Sequence, residues 1–179
     1  MVWPREAIMA LRMVHIASAA LLIGAVFFNH FLLRPTLERI PPPQQAVVAS
    51  RIGHLFVYLA WGTLALLLAS GLLRLLSMWL LDNLFTLDFW TQRYGRWLAV
   101  MMGGWTVAVI DATILTFLTR PILLRRLSLN PRPSPVAMQE RRDTQVRVAK
   151  WVERMVLVNL IATLVALVAG ASLLYGGII

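Results

Sequence analysis

The chain has 179 residues, 59% of them hydrophobic and only 14% charged, with a mean hydropathy of +0.73. Soluble domains carry about a quarter charged residues and under half apolar ones, so this composition excludes an ordinary soluble enzyme domain and a disordered chain alike. Seventeen Lys+Arg against eight Asp+Glu give a net charge of +9, and cysteine is absent, which removes disulfides, thiolate metal sites and cysteine nucleophiles.

Crossing a bilayer as a helix takes about 20 mostly apolar residues. Four stretches qualify, at about 7–33, 52–76, 97–118 and 155–175. The first is too long for the apolar part of a signal peptide and lacks a convincing cleavage site, so it is expected to be retained. Residues 34–51 form a short link holding Pro41-Pro42-Pro43, read as a stiff polyproline piece. Residues 77–96 are rich in aromatics (Trp79, Phe85, Phe89, Trp90, Tyr94) and suit a segment lying on the membrane surface. Residues 119–154 are the polar loop: Arg125-Arg126, a proline-rich stretch to Pro135, then a charged helical run into Trp151. No internal repeat is evident. The expected fold is an all-α integral membrane protein: one domain over 1–179, with four transmembrane helices in an up-down bundle.

Four spans put both termini on one side. That side carries Arg5, Arg12, Arg74, Arg93 and Arg96. The other twelve basic residues fall on the opposite side. The positive-inside rule makes the loop 119–154 cytoplasmic and places both termini outside, as in a bacterial-type inner membrane. The positive charge is then chiefly a record of topology. No nucleic-acid-binding module is recognisable, and nucleic acid is not an expected partner.

Ionisable groups inside a membrane are costly, so each invites a function. Arg12 and His15 share one face of the first helix, and Ser18 continues it. His15 suits an axial haem ligand, with Arg12 one turn nearer water to hold a propionate. Gly71, Gly103, Gly104 and Gly170 fall at similar depth and offer a slot for a flat cofactor, or serve helix packing. Met101 or Met102 is the candidate second ligand. Copper is the competing reading, through His15, Met9 and Met13 with Met101 and Met102, since thioethers and imidazole suit Cu(I). Against it, Met is a common gap-filler, and Met13 and His15 point about 200° apart around the helix. His30 lies about 22 Å along the helix from His15, so the two cannot flank one haem. With His54, Asp111 and Asn159 it defines a second, polar cluster. That cluster suits a quinone headgroup or a proton path; capping and pairing of Asp111 with Arg51 or Arg120 are the plainer roles. No phosphate-binding glycine loop, zinc-protease motif or nucleophile elbow is present.

Three short motifs resemble a known family. They are Leu11-Arg12-Met13-Val14-His15-Ile16 with the exit Arg34-Pro35, Arg51-Ile52-Gly53-His54 opening a span that ends Ser70-Gly71-Leu72-Leu73, and Tyr94-Gly95-Arg96-Trp97-Leu98. The layout resembles the copper-resistance CopD membrane domain and the related HemJ (protoporphyrinogen oxidase) type. The chain departs from the pattern at Met101, near where a lysine usually follows the Tyr-Gly-Arg entry. It also departs at Leu22-Ile23-Gly24, where a tryptophan-glycine element is usual. The resemblance implies a membrane protein handling b-type haem or copper, with His15 as the position carried over. The leading expectation is a haem-binding subunit that passes electrons within a larger membrane complex. Copper transport, and a cofactor-free accessory subunit contacting lipid and other membrane subunits, are the alternatives.

Overall fold

A computed structural model describes residues 3–119 and 135–174 of the chain. Every regular element among them is helical. Helix α1 (Arg5–Phe28) runs through a π turn (Asn29–Leu33) into a short α2 (Arg34–Leu37). Helix α3 (Pro42–Ser77) returns. A 3-10 turn (Asp82–Phe85) and a short α4 (Leu87–Thr91) lead into α5 (Arg93–Thr113), which ends in a second π turn (Ile114–Thr119). The last helix, α6, spans Pro135–Leu174.

Four stretches are long and apolar enough to cross a membrane: Arg5–Leu37, Val47–Ser77, Arg93–Leu118 and Lys150–Leu173. Their outward faces carry large exposed apolar side chains, including Leu21, Phe27, Leu66, Ile110, Ile161 and Val168. In water such a surface would aggregate; in hydrocarbon it is solvated. The chain is a multi-pass membrane protein.

One boundary differs from the sequence reading, and the charged helical run expected before Trp151 proves continuous with its span. The prolines at 41–43 do not form a separate stiff link. Pro42 and Pro43 begin α3, where their missing N–H groups cost nothing, since the first turn of a helix has no partners for them. Helix α6 begins some twenty residues before the apolar window, because the charged run that precedes Trp151 is itself helical. Arg120, Arg125, Arg126, Asn130 and the Gly176-Gly177 end lie outside the described residues.

The helices pack as two antiparallel hairpins, α1 with α3 and α5 with α6. One end of the bundle, here the Arg5 end, holds the starts of α1 and α5 and the finishes of α3 and α6. The Arg34 end holds the rest. Between the hairpins lies a core of Leu22, Ala60, Leu64 and Ala108, with Phe56 and Trp105 against it. Two indoles tie α3 to the second hairpin: Trp105 Nε1 donates to the Leu64 carbonyl at 3.2 Å, and Trp61 Nε1 to Thr116 Oγ1 at 3.3 Å.

At the Arg5 end a second core gathers Leu75, Phe89 and Leu98. Helix α3 stops there in a Schellman turn: Leu80 N–H donates to the Leu75 carbonyl and Trp79 N–H to that of Leu76, at 3.0 and 3.1 Å. Trp79 takes the left-handed position at φ 57°, a place usually filled by glycine. The aromatic segment that follows is divided. Trp79 and Phe85 are exposed, as a membrane-surface segment requires, but Phe89 is buried against the bundle. Gly95 allows this. A Cβ there would collide with the Phe89 carbonyl oxygen and lie 3.0 Å from the Trp90 Cα, so α4 can fold back on α5 only over a glycine.

The two hairpins begin with related helices, a likeness too short to register as a repeat in the bare sequence. Phe31-Leu32-Leu33-Arg34-Pro35 and Phe117-Leu118-Thr119-Arg120-Pro121 agree at four of five positions, 86 residues apart. In each, the turn before Arg-Pro opens to π geometry. A proline removes one backbone donor and crowds the carbonyl four residues back, and the wider turn relieves both. Around Pro35, Thr36 Oγ1 helps by donating to the Leu32 carbonyl at 2.6 Å. The same spacing matches Leu22 to Ala108, both in the central core, Ser18 to Gly104, both buried, and His15 to Met101.

Candidate functional site

His15 faces α3 from the third turn of α1. Its Nδ1 lies 2.8 Å from Ser70 Oγ. The Ser70 hydroxyl also lies 2.5 Å from the Leu66 carbonyl, one turn back on its own helix. A hydroxyl has one hydrogen to give. Given to Leu66, it leaves Ser70 as the acceptor of His15 Nδ1–H. The imidazole is then fixed as the tautomer with its lone pair on Nε2, the arrangement by which a buried partner prepares a histidine to ligate. Gly71 brings the α3 backbone flat against the ring: a Cβ there would sit 3.4 Å from His15 Cε1. A larger residue at 71 would press directly on the imidazole.

Arg12 is exposed, one turn nearer the end of the bundle. It lines an open cleft of about 400 Å³ between the start of α1 and the end of α3, together with Arg5, Glu6, Met9, Arg74 and Ser77. Arg74 is the functional candidate that sequence reading passed over. It sits one turn from Ser70 and Gly71 on α3, so the antiparallel hairpin adds its guanidinium to those of Arg5 and Arg12 on one cleft, which the Glu6 carboxylate also lines. Two arginines at a membrane edge suit a doubly anionic group such as a pair of carboxylates.

The methionines are not gathered. Met9 and Met13 are 68% and 67% exposed, on the outer surface of α1. Met102 is also exposed, on another helix. Met101 instead turns inward, and a Cβ on Gly170 of α6 would lie 3.5 Å from its sulfur. His15 against Gly71 and Met101 against Gly170 are thus matching contacts in the two hairpins. The other two glycines have different surroundings. A Cβ on Gly104 would come within 2.6 Å of the Ala162 carbonyl and 2.7 Å of Ala166 Cβ, so this is a close helix crossing. Gly103 has nothing within 4 Å of such a Cβ. Ser18 is buried one turn below His15.

Of the second cluster, the structure joins Asp111 and Asn159 across α5 and α6, with Asn159 Nδ2 donating to Asp111 Oδ2 at 2.8 Å. The two histidines expected beside them are elsewhere. His30 lies edge-on to Phe31 within the first π turn, with ring centroids 4.8 Å apart, and His54 is exposed on α3. Among the described residues, no ion pair links Arg51 to Asp111, and no three His, Asp or Glu side chains converge as a metal-binding group. No family model, curated protein or solved structure matches the chain.

Proposed function

We propose that the chain is a membrane subunit that binds b-type haem at the Arg5 end through His15 and passes electrons within a larger complex. The observation that carries this reading is the His15–Ser70–Leu66 chain of hydrogen bonds, which ties Nδ1 and leaves Nε2 to ligate. The cleft lined by Arg12 and Arg74, one helical turn from His15 and Ser70 toward the same end, offers cationic partners for propionates. Met101 is the second-ligand candidate in preference to Met102, because it turns inward at the position matching His15, while Met102 faces outward. Haem, when bound, supplies one-electron redox chemistry, and the protein tunes it by ligand, hydrogen bond and burial. Ser70 orients the ring and Gly71 lets it lie against the α3 backbone. By the positive-inside count, this end faces outward and the Arg34 end faces the cytoplasm of a bacterial-type inner membrane.

The absorption spectrum of protein purified from haem-replete membranes tests the reading. A Soret band is expected, abolished in His15→Ala. Met101→Leu should convert a six-coordinate spectrum to a five-coordinate one, whereas Met102→Leu should leave it unchanged. No Soret band from haem-replete protein would overturn the proposal. Bound copper lost on changing Met101 and Met102 would favour copper handling, and neither cofactor alongside co-purifying subunits would favour a purely structural subunit.

A further inference from the structure

Asp111 and Asn159 are 3% and 8% exposed, the only carboxyl–amide pair among the described buried polar residues. Their one described hydrogen bond uses Asn159 Nδ2 and Asp111 Oδ2. The remaining oxygen of each side chain, Asp111 Oδ1 and Asn159 Oδ1, is buried without a partner among the described residues. An ionised carboxylate and an amide oxygen are both acceptors, so neither can satisfy the other. Orphaned acceptors inside hydrocarbon are costly, an ionised carboxylate most of all. No neighbouring hydroxyl supplies the missing hydrogen: Thr163 donates to the Asn159 and Leu160 carbonyls, and Thr113 to that of Val109. Nor does a cation. The described ion pairs join Arg34 to Glu38 and to Glu153. Of the other described titratable groups on the packed helices, Glu153 and Arg154 on α6, Arg51, His54 and Tyr58 on α3 and His30 on the first π turn lie on the Arg34 side, and Arg93, Tyr94 and Arg96 on α5, Arg74 on α3 and Arg12 and His15 on α1 lie toward the Arg5 end.

We propose that Asp111 is a proton-binding site. It holds a proton on Oδ1, donates it to Asn159 Oδ1, and so closes a neutral carboxylic acid–amide pair between α5 and α6. One proton satisfies both orphaned oxygens at once. A bare metal cation is a poorer occupant, because hard cations want six or more oxygen ligands and only two are unpartnered here. The proton comes from water at the Arg34 end, the nearer surface along α5. The π turn begins three residues after Asp111 and runs to that end, and π turns interrupt the regular backbone bonding of a helix. Losing the proton would strand a carboxylate between two helices in the bilayer, so proton release and loosening of the α5–α6 contact are coupled.

Infrared spectroscopy of the whole chain in phosphatidylcholine nanodiscs, at neutral pH and with aspartate carboxyls labelled with carbon-13, tests this. The other three aspartates, Asp82, Asp88 and Asp143, are exposed, whereas Asp111 is buried. One protonated-carboxyl stretching band is expected that moves with the label and with heavy water. It should vanish in Asp111→Asn and shift in Asn159→Leu, where the hydrogen bond is lost. The label experiment reads the native chain, so it holds even if a variant misfolds. Labelled aspartate found only as carboxylate would overturn the proposal. So would a protonated band that disappears when sodium chloride is raised at constant pH, since a cation would then be the occupant.

Discussion

The two hairpins have the same plan and opposite polar chemistry. In the first, the polar contact between helices is His15 with Ser70, near the Arg5 end. The matching contact in the second is Met101 against Gly170, which is apolar. In the second hairpin the polar contact is Asp111 with Asn159, well toward the Arg34 end, and the spacing between the hairpins matches Asp111 to Ala25 in the first. Each hairpin is therefore dry where the other is polar. Helices in hydrocarbon gain little from burying apolar surface against each other, so small residues and a few hydrogen bonds carry the association. One such bond per hairpin holds its pair in register. Placing the bonds at different depths leaves two separate sites rather than one polar seam through the bundle.

Substitutions at matched positions break or sharpen this contrast. The largest effect is expected at Gly104, where α6 crosses α5 with no room for a side chain. Gly104→Val should lower stability by about 1–3 kcal/mol, the usual cost of overpacking, read as an earlier thermal unfolding midpoint in detergent. Its counterpart Ser18→Ala should change the midpoint much less, and equal losses at both would remove the distinction between the hairpins. Next comes Asn159→Ala, which deletes the inter-helix bond of the second hairpin. A loss of ~1–2 kcal/mol is expected, near the upper range for hydrogen bonds in membranes. Ser70→Ala should cost less, on the order of 0.6 kcal/mol, because His15 is only partly buried. Its clearer signature is spectral: the Soret band should survive but move, since the ring loses the partner that sets its tautomer. Arg34→Ala should matter least. It removes exposed ion pairs to Glu38 and Glu153, at 3.6 and 3.3 Å, each worth ~0–1 kcal/mol. A midpoint that falls more on Arg34→Ala than on Asn159→Ala would place the inter-helix coupling at the surface instead of in the membrane.

The four spans were legible in the sequence because a bilayer imposes a minimum apolar length. Their ends were less so. A proline triplet reads equally as polyproline or as a helix start, and only the α3 backbone decides. The charged half of α6 has no apolar window to mark it. His15 stood out because ionisable residues inside a span are rare, and Ser70 was visible only as a small residue at similar depth, while Arg74, 59 residues away in sequence, was read for topology alone. The antiparallel register makes them neighbours. Asp111 and Asn159 were visible as polar residues at a common depth, and the same depth argument added His30 and His54, whose described surroundings are Phe31 and an exposed face of α3. Depth says nothing about which way a side chain points around its helix. The likeness between hairpins escaped because it survives in five residues and a backbone geometry, while the contacts that define each hairpin have diverged.

Helix α6 is 40 residues long, about 60 Å at the α-helical rise, roughly twice the hydrocarbon thickness of a bilayer. Its membrane-crossing part is Lys150–Leu173. The remainder, back to Pro135, projects as a rod of about 22 Å. A rod continuous with a span is a lever: tilting α6 by 10° about Lys150 would swing the Pro135 end by about 4 Å. The Asp111–Asn159 bond sits on the membrane side of that pivot, so any change there that tilted α6 would be enlarged at the charged surface beyond the lipid.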